Sequence, residues 1–347
     1  MPAASSGALA AYGWSERVAT LFDSESAASS GRPGRVTRVE RGVVAVIDGD
    51  GTTQPCASIG QPAVGDWVIV EDRRLTAVLP RWSSLERQDP DTGGAQVLAA
   101  NVDVVLVTVP GDRPNFARAE RELVIAWESR ATPVVVLTKA DLAPPTLLDE
   151  LTARLAGVEL IATSAETGAG VAEVTALLAP DRTGVLLGAS GAGKSRLTNA
   201  LLGEHRQTIG AVRTDDRRGR HTTTSRHLLA IPNGGNIIDT PGLRSLGLVS
   251  ADHLDRAFPD VDELASNCRF TDCAHRSEPG CAVTAAVTAG LLTSHRLASY
   301  QKLERESAAE HRRSDPLNRR DVRRFWTQRT KDARRHDKRH QPNNDGD

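Results

Sequence analysis

The sequence has few cysteines, no long apolar run and no leader-like start. A membrane-spanning helix needs about eighteen or more apolar residues, and no stretch approaches that length. Residues 1–7 do not combine a charged region with an apolar one, so no secretory leader is predicted. Four cysteines in 347 residues do not make a disulfide framework. We therefore expect a cytoplasmic protein of two or three packed domains that has no membrane partner.

The clearest positive signal is a phosphate loop placed between a strand and a helix. The motif G-x-x-x-x-G-K-S follows the apolar residues 185–187 and leads into a helical pattern over residues 196–202. In that context, backbone N–H groups surround phosphates at a helix N-terminus. Lys194 is expected to assist catalysis by reaching the β- and γ-phosphates, and Ser195 to bind Mg²⁺. The predicted phosphate-binding residues are Gly188, Ala189, Ser190, Gly191, Ala192, Gly193, Lys194, Ser195 and Arg196.

A carboxylate ends a second apolar strand downstream of this loop. Asp239 follows residues 236–238 and begins the motif Asp-Thr-Pro-Gly, which turns the chain away at Gly242. Taken alone, such a motif is a common turn. After a phosphate loop, it predicts that Asp239 lies near Mg²⁺ and that the Gly242 N–H faces the γ-phosphate.

Two further predicted strands, over residues 134–137 and 158–162, lead into residues that suit a guanine base. Asp141 follows the apolar residues 134–137, and its carboxylate can accept hydrogen bonds from N1–H and the exocyclic amine of guanine. Adenine offers no such pair, which argues against a P-loop ATPase. Thr138 stands where Asn is commoner, so one amide contact is expected to be lost, and the Lys139 stem is expected to lie along the base. The predicted base-binding residues are Thr138, Lys139, Ala140, Asp141, Ser164 and Ala165.

The order of these motifs is unusual. The base-reading motifs precede the phosphate loop, whereas an ordinary GTPase has them after it. The pattern therefore predicts a circularly permuted GTPase domain over residues 95–248, in which strands alternate with helices in a doubly wound α/β arrangement. Permutation changes the connectivity of the chain but leaves the three-dimensional site intact.

The polar residues 215–224 have no apolar periodicity and are predicted to form a switch loop. A threonine hydroxyl of such a loop can complete the Mg²⁺ shell while the γ-phosphate is present, and we favour Thr223 over Thr222. Leu243 stands where Ras-like proteins place a water-orienting glutamine, so intrinsic hydrolysis is expected to be slow. His221 is the candidate for orienting the attacking water. A solvated basic loop is the alternative for this stretch.

Three of the four cysteines and one histidine fall within fourteen residues near the C-terminal side. Three thiolates and one imidazole can close a tetrahedral Zn²⁺ site with no open position, which favours a structural metal over a catalytic one. A disulfide with a spare cysteine is the alternative, but nothing else indicates an oxidising compartment. The predicted ligands are Cys268, Cys273, His275 and Cys281. Cys56 is predicted to be a buried apolar residue.

The remaining segments have distinct compositions. Residues 1–34 are rich in Ala, Ser and Gly and are predicted to be disordered, although Trp14 and Leu21 suggest a contact. Five short alternating stretches over residues 35–85 predict an OB-type β-barrel. Residues 249–325 are predicted to form a helical zinc-binding domain, and 326–347 a basic tail. Between Lys302 and His340 there are 14 Lys/Arg and 7 Asp/Glu, in a chain of net charge −1, which suits RNA contact or a solvated charged helix.

The motif order, the front barrel and the Cys/His cluster together resemble the ribosome small-subunit-dependent GTPase A family, over roughly residues 35–325. The resemblance implies an N-terminal OB-type barrel, a circularly permuted P-loop GTPase domain and a C-terminal helical zinc-binding domain. It also implies a monomer that binds GTP and GDP with Mg²⁺, holds one structural Zn²⁺, and binds the small ribosomal subunit and its rRNA late in maturation, where GTP is hydrolysed. A permuted GTPase acting on the large subunit and an RNA-binding scaffold regulated by nucleotide are the alternatives.

Overall fold

Five strands near the N-terminus form a closed barrel. In the computed structural model, which describes residues 7–26, 30–40, 43–88, 95–155, 157–203, 226–239 and 253–314, the barrel begins at Arg32. Its strands are β1 (Arg32–Glu40), β2 (Val43–Asp48), β3 (Thr53–Ala57), β4 (Trp67–Glu71) and β5 (Arg74–Val78). β1 pairs with both β2 and β4, and a parallel pair between β3 and β5 completes the closure. Alternate side chains fill the interior, including Cys56, which is 1% exposed as the sequence predicted.

The N-terminal segment differs from the sequence expectation. Disorder was expected over residues 1–34, but a 3-10 turn spans Ala8–Tyr12 and helix α1 spans Glu16–Ser26. Val18 and Phe22, one helical turn apart, are buried against the outside of the barrel together with Trp67. The expectation was wrong for these residues because it weighed composition above the helical spacing of a few apolar side chains. The predicted contact by Trp14 is present, since its ring lies 5.5 Å from that of Trp67.

The second sheet region carries the predicted nucleotide motifs. After the hairpin β6 (Ser84–Gln88) and β7 (Ala95–Ala100), five parallel strands lie in the order β10-β9-β8-β11-β13, with β12 antiparallel at the end. These strands are β8 (Val104–Pro110), β9 (Thr132–Thr138), β10 (Glu159–Ala162), β11 (Thr183–Leu187), β12 (His227–Ala230) and β13 (Asn236–Asp239). Because parallel strands share one carboxyl edge, the motif residues that follow β9, β10 and β11 meet there, beside Asp239 at the end of β13.

Helices cover both faces of this sheet. They are α2 (Phe116–Glu128), α3 (Leu147–Arg154), α4 (Val171–Leu177) and α5 (Lys194–Leu202). Buried residues of α2 and α3 belong to one apolar cluster, and those of α4 and α5 belong to another. The side chain of Asn115 starts α2 by accepting a 3.0 Å hydrogen bond from the Arg118 N–H. The arrangement is the doubly wound sheet that the alternating strands and helices predicted.

A buried arginine joins the barrel to the strand that leads into the phosphate loop. Arg35 of β1 is 1% exposed, and its guanidinium donates to the Thr183 hydroxyl at 2.7 Å and to the carbonyl of Tyr12. Its guanidinium also lies 4.9 Å from the ring centre of Trp67. Burial lowers the pKa of Arg35 to about 10, but Asp103 and Asp66 nearby keep it charged at neutral pH. One cation therefore connects the N-terminal segment, the barrel and β11.

The C-terminal region is helical and shares a core with the second sheet region. Its helices are α6 (Leu254–Ala257), α7 (Pro259–Ala265), α8 (Ala282–Thr288) and α9 (Ser294–Ser314). Leu254, Phe258 and Val261 lie in the same apolar cluster as Leu123 of α2. No helix among the described residues is long and apolar enough to span a membrane. The predicted ends of the nucleotide-binding and metal-binding domains, at 248 and 325, lie outside those residues and stay predictions, as does the basic tail.

Candidate nucleotide site and metal centre

A cavity of about 320 Å³ lies where the loops after β9 and β10 meet the start of α5. Its volume is within the range of small-molecule sites. Six residues predicted from the motifs line it: Thr138, Lys139, Asp141, Ala165, Gly193 and Arg196. Four lining residues were not predicted, namely Leu142, Thr163, Glu166 and Leu197, and each directly adjoins a motif residue in the sequence. That adjacency is the signal that could have found them.

Thr138 connects the base-reading loop to the phosphate loop. Its hydroxyl donates a 2.6 Å hydrogen bond to the Ala192 carbonyl, and the side chain is 4% exposed. Gly193 has a φ of +87°, and a Cβ there would come within 3.2 Å of the Thr138 side chain. From the sequence we expected that threonine loses an amide contact. The structure adds that its hydroxyl makes a direct contact between the two loops.

The two base-reading loops are also joined to each other. The Thr163 N–H donates to the Leu137 carbonyl at 2.7 Å, and the Ala140 N–H donates to the Thr163 carbonyl at 2.9 Å. Ser164 is 2% exposed, and its hydroxyl accepts from the Thr167 N–H at 3.2 Å. The Ser164 side chain therefore holds its own loop in shape, whereas its neighbour Ala165 lines the cavity.

The phosphate loop approaches a neighbouring strand too closely for any side chain at its first position. Gly188 has a φ of +148°, and a Cβ there would lie 1.9 Å from the Thr108 hydroxyl oxygen. That hydroxyl donates to the Leu187 carbonyl at 2.7 Å, which ties β8 to the end of β11. The glycine is therefore required by packing as well as by backbone conformation.

Lys194 stands at the first turn of α5 with its ammonium inside the loop. The ammonium donates to the carbonyls of Gly188 and Ala189 at 2.7 and 2.6 Å. A cation in this position can neutralise phosphate oxygens that the loop N–H groups bind. Ser195 follows with an exposed side chain, and its Mg²⁺ contact stays a prediction.

A buried carboxylate that the sequence did not single out lies near this lysine. Glu122 of α2 is 5% exposed and accepts a 2.7 Å hydrogen bond from Arg118. Burial raises the pKa of Glu122, while the charges of Arg118 and Lys194 act in the opposite direction. The environment of Lys194 thus includes a negative charge that belongs to none of the nucleotide motifs.

Asp239 is the last residue of β13 and is half-buried at the carboxyl edge, beside the strand that leads into the phosphate loop. This is the location that the predicted Mg²⁺ role requires. Three other predicted residues, His221, Thr223 and Gly242, lie outside the described part of the chain, as does Thr222. Their roles stay predictions.

The four predicted metal ligands form one cluster. Their ligand atoms all lie within 4.8 Å of one another. The His275 Nδ1 is 3.6 Å from the Cys268 sulfur and 3.5 Å from the Cys281 sulfur, and the two sulfurs are 3.9 Å apart. The edges of a tetrahedral zinc site with ordinary bond lengths are about 3.8 Å between sulfurs and about 3.5 Å between sulfur and nitrogen. Cys268, His275 and Cys281 therefore already have the spacing of a tetrahedral site, and together with Cys273 they can hold one metal ion.

The thiols of this cluster ionise unequally, because the pKa of Cys281 is lowered and that of Cys273 is raised. Burial raises the pKa of Cys281, but hydrogen bonds from Thr284 and His275 bring it down to about 6. At Cys273 a hydrogen bond from the backbone N–H of His275 lowers the pKa, but burial and the other two thiol groups raise it to about 11. Several thiolates this close together need a cation to compensate their charge, which is what a metal ion supplies.

Comparison with known proteins agrees with this geometry. A protein-family model described as RsgA GTPase matches residues 78–249. The curated protein "Small ribosomal subunit biogenesis GTPase RsgA" of Streptomyces coelicolor is 44% identical over 341 residues, covering 93% of each chain. Its counterpart from Streptomyces avermitilis is 42% identical over 344 residues, covering 93% of this chain and 92% of that relative.

Two solved structures share the fold. YjeQ from Thermotoga maritima is 28% identical, with a TM-score of 0.59 over 80% of this chain and 98% of that one. YloQ, described as a circularly permuted GTPase, has a TM-score of 0.57 at 24% identity, over 80% of this chain and 96% of that one, and supports the fold alone. The expected barrel, permuted nucleotide-binding region and C-terminal Cys₃His cluster are therefore confirmed. With this identity over nearly its whole length, the chain belongs to the RsgA GTPase family and is a GTP hydrolase.

Proposed function

We propose that the protein binds the small ribosomal subunit late in its maturation, hydrolyses GTP when so bound, and then leaves. GTP binding is supported by one cavity in which Asp141, Ala165 and Gly193 meet from three separate motifs. The curated relatives from two Streptomyces species are named for small ribosomal subunit biogenesis, which favours this subunit over the large one. A protein with this function acts in the cytoplasm, and we propose that it acts as a monomer.

Within this proposal, each motif has a defined task. Asp141 and the Ala165 N–H read the guanine base, and the loop from Gly188 to Arg196 binds the phosphates. Ser195 and Thr223 bind Mg²⁺, and His221 orients the attacking water. Because the residue after Gly242 is leucine rather than glutamine, hydrolysis is slow until contact with the subunit positions His221.

The expected result is that small ribosomal subunits raise the rate of GTP turnover about tenfold or more, because positioning a general base or water-orienting group contributes at least that much. Turnover is measured with purified small subunits, with large subunits and with neither, and ATP replaces GTP in a parallel series. Lys194→Ala serves as the inactive control. Stimulation by large subunits would support the large-subunit alternative, and turnover that stays flat would support a nucleotide-regulated RNA-binding scaffold.

We also propose that the metal is Zn²⁺ and that its role is structural. Four protein ligands leave no open position for chemistry. The purified protein is expected to contain about one zinc per chain, and chelation is expected to loosen the C-terminal helices without abolishing GDP binding. Metal analysis and limited proteolysis test both expectations. The Cys281→Ser variant should lose the zinc. The control variant Cys56→Ala, changed in the barrel interior, should retain it. Loss of GDP binding on chelation would contradict a purely structural role.

A further inference from the structure

The loop between β8 and α2 lies directly against the base-reading loop. The Gly111 N–H donates to the Thr138 carbonyl at 2.8 Å. A Cβ on Gly111 would come within 2.6 Å of the Lys139 carbonyl oxygen and 2.9 Å of the Ala143 Cβ. The two backbones are therefore in contact, and the residue after this glycine lies beside the Lys139 side chain.

That residue is Asp112, and it makes an ion pair with Lys139. The distance from the lysine Nζ to the aspartate Oδ2 is 2.8 Å, and the side chains are 26% and 33% exposed. The hydrogen bond from Lys139 lowers the pKa of Asp112, so the carboxylate is charged at neutral pH. Lys139 itself has a left-handed φ of +53°, which directs its side chain away from the regular path of the strand before it.

The pair constrains a residue of the nucleotide cavity. Lys139 lines that cavity together with Asp141 and Arg196. A lysine has a flexible four-carbon stem, and an unpaired ammonium samples many rotamers in water. With the ammonium held by Asp112, the stem keeps one position and forms a preformed apolar wall for a planar base.

We propose that Asp112 is a positioning residue for guanine-nucleotide binding, which acts by holding Lys139 against the purine. The inference rests on the proposed assignment of the base site. Asp112 lies outside the four nucleotide motifs, and its carboxylate belongs to a different loop from any of them. It contributes to affinity, and in particular to a slow release of nucleotide, and takes no part in the hydrolysis step.

The test is Asp112→Asn in the full-length protein, with a fluorescent GDP analogue as the probe. This change keeps the shape of the side chain but removes its charge. The dissociation rate and Kd are expected to rise about threefold to tenfold, because a partly exposed charge-assisted contact is lost. The KM for GTP should rise by a similar factor with kcat unchanged, and Asp112→Glu should recover part of the loss.

Two further readouts separate positioning from a general structural effect. Salt screens a partly exposed ion pair, so raising the salt concentration should speed GDP release from the wild-type protein more than from Asp112→Asn. In a Lys139→Ala background, Asp112→Asn should have no further effect on GDP release. The matched control is Asp50→Asn, which removes an exposed 3.6 Å pair with Arg32 on the barrel and should leave Kd unchanged.

The proposal would be overturned by an unchanged Kd in Asp112→Asn, by a fall in kcat at constant KM, or by a full effect in the Lys139→Ala background. These outcomes are distinct from failure of the base site itself. If Asp141→Asn leaves guanine selectivity intact, the site assignment fails and the Asp112 role fails with it. If Asp141→Asn changes selectivity but Asp112→Asn binds GDP normally, the positioning role alone is wrong.

Discussion

Asp141→Asn is expected to lower the affinity for GTP about a hundredfold or more and to create affinity for xanthosine triphosphate. Asp141 lines the cavity, and among the described residues its carboxylate has no hydrogen bond or ion pair. It is therefore available to accept two hydrogen bonds from guanine. An asparagine oxygen can still accept from the guanine N1–H, but the amide NH2 then faces the exocyclic amine, so two donors oppose each other and stay unpaired. Xanthine has a carbonyl in place of the exocyclic amine, so the same amide can donate to it.

The affinities are measured by competition of GTP, XTP and ATP against a fluorescent GDP analogue. Asp149→Asn, an exposed position on α3, is the matched control and should bind all four nucleotides as the wild type does. Unchanged selectivity in Asp141→Asn would mean that the base lies elsewhere and that the cavity beside Thr138 has another occupant.

Glu120→Ala is expected to destabilise the protein by about 3–5 kcal/mol, because it removes the buried carboxylate that Arg296, Arg154 and Ser299 share. Glu120 of α2 is 0% exposed. One of its carboxylate oxygens accepts from Arg154 of α3 at 2.7 Å and from Arg296 of α9 at 2.8 Å, and the other accepts from Ser299 at 2.5 Å. Arg296 is itself 4% exposed and also pairs with Asp260 of α7 at 2.8 Å. A single carboxylate thus connects the nucleotide-binding region to the C-terminal helices.

The free energy of unfolding in denaturant tests this expectation, and limited proteolysis shows whether the C-terminal helices separate first. Glu306→Ala is a closely matched control, because Glu306 pairs with Arg121 at 2.6 Å between the same two helices, α2 and α9. The Arg121 and Glu306 side chains are both partly exposed, so Glu306→Ala should lower the free energy of unfolding by about 1 kcal/mol or less. If the two variants were equally stable, burial of the Glu120 network would contribute nothing beyond a surface pair.

The sequence predicted the nucleotide motifs and the metal ligands because each is a short local pattern with its own chemistry. A phosphate loop between a strand and a helix needs only about eight adjacent residues, and the Cys/His spacing is equally local. The carboxyl edge of a parallel sheet then brings the motifs together, whatever their order in the chain. The barrel could be predicted from the alternation of apolar residues over short strands. The distant hydrogen-bond partners of its polar residues, such as Arg35, could not.

The residues that were missed depend on partners far away in the chain. Glu120 has the appearance of an ordinary charged position on α2, and its two arginine partners are 34 and 176 residues distant. Arg35 bonds a hydroxyl 148 residues away, and Asp112 bonds a lysine 27 residues away. No periodicity marks such pairs, since a buried charged residue and a solvated one have the same letter in the sequence.

Local chemistry along the chain was enough to identify the nucleotide motifs, their order and the Cys/His cluster. The tertiary structure decided how those parts are held: Thr138 against the phosphate loop, Lys139 by Asp112, and the C-terminal helices by Glu120. It also decided that residues 8–26 are ordered, because a few apolar side chains find a barrel surface to cover. Chemical identity is a property of each residue, whereas burial and pairing arise when distant residues meet in the fold.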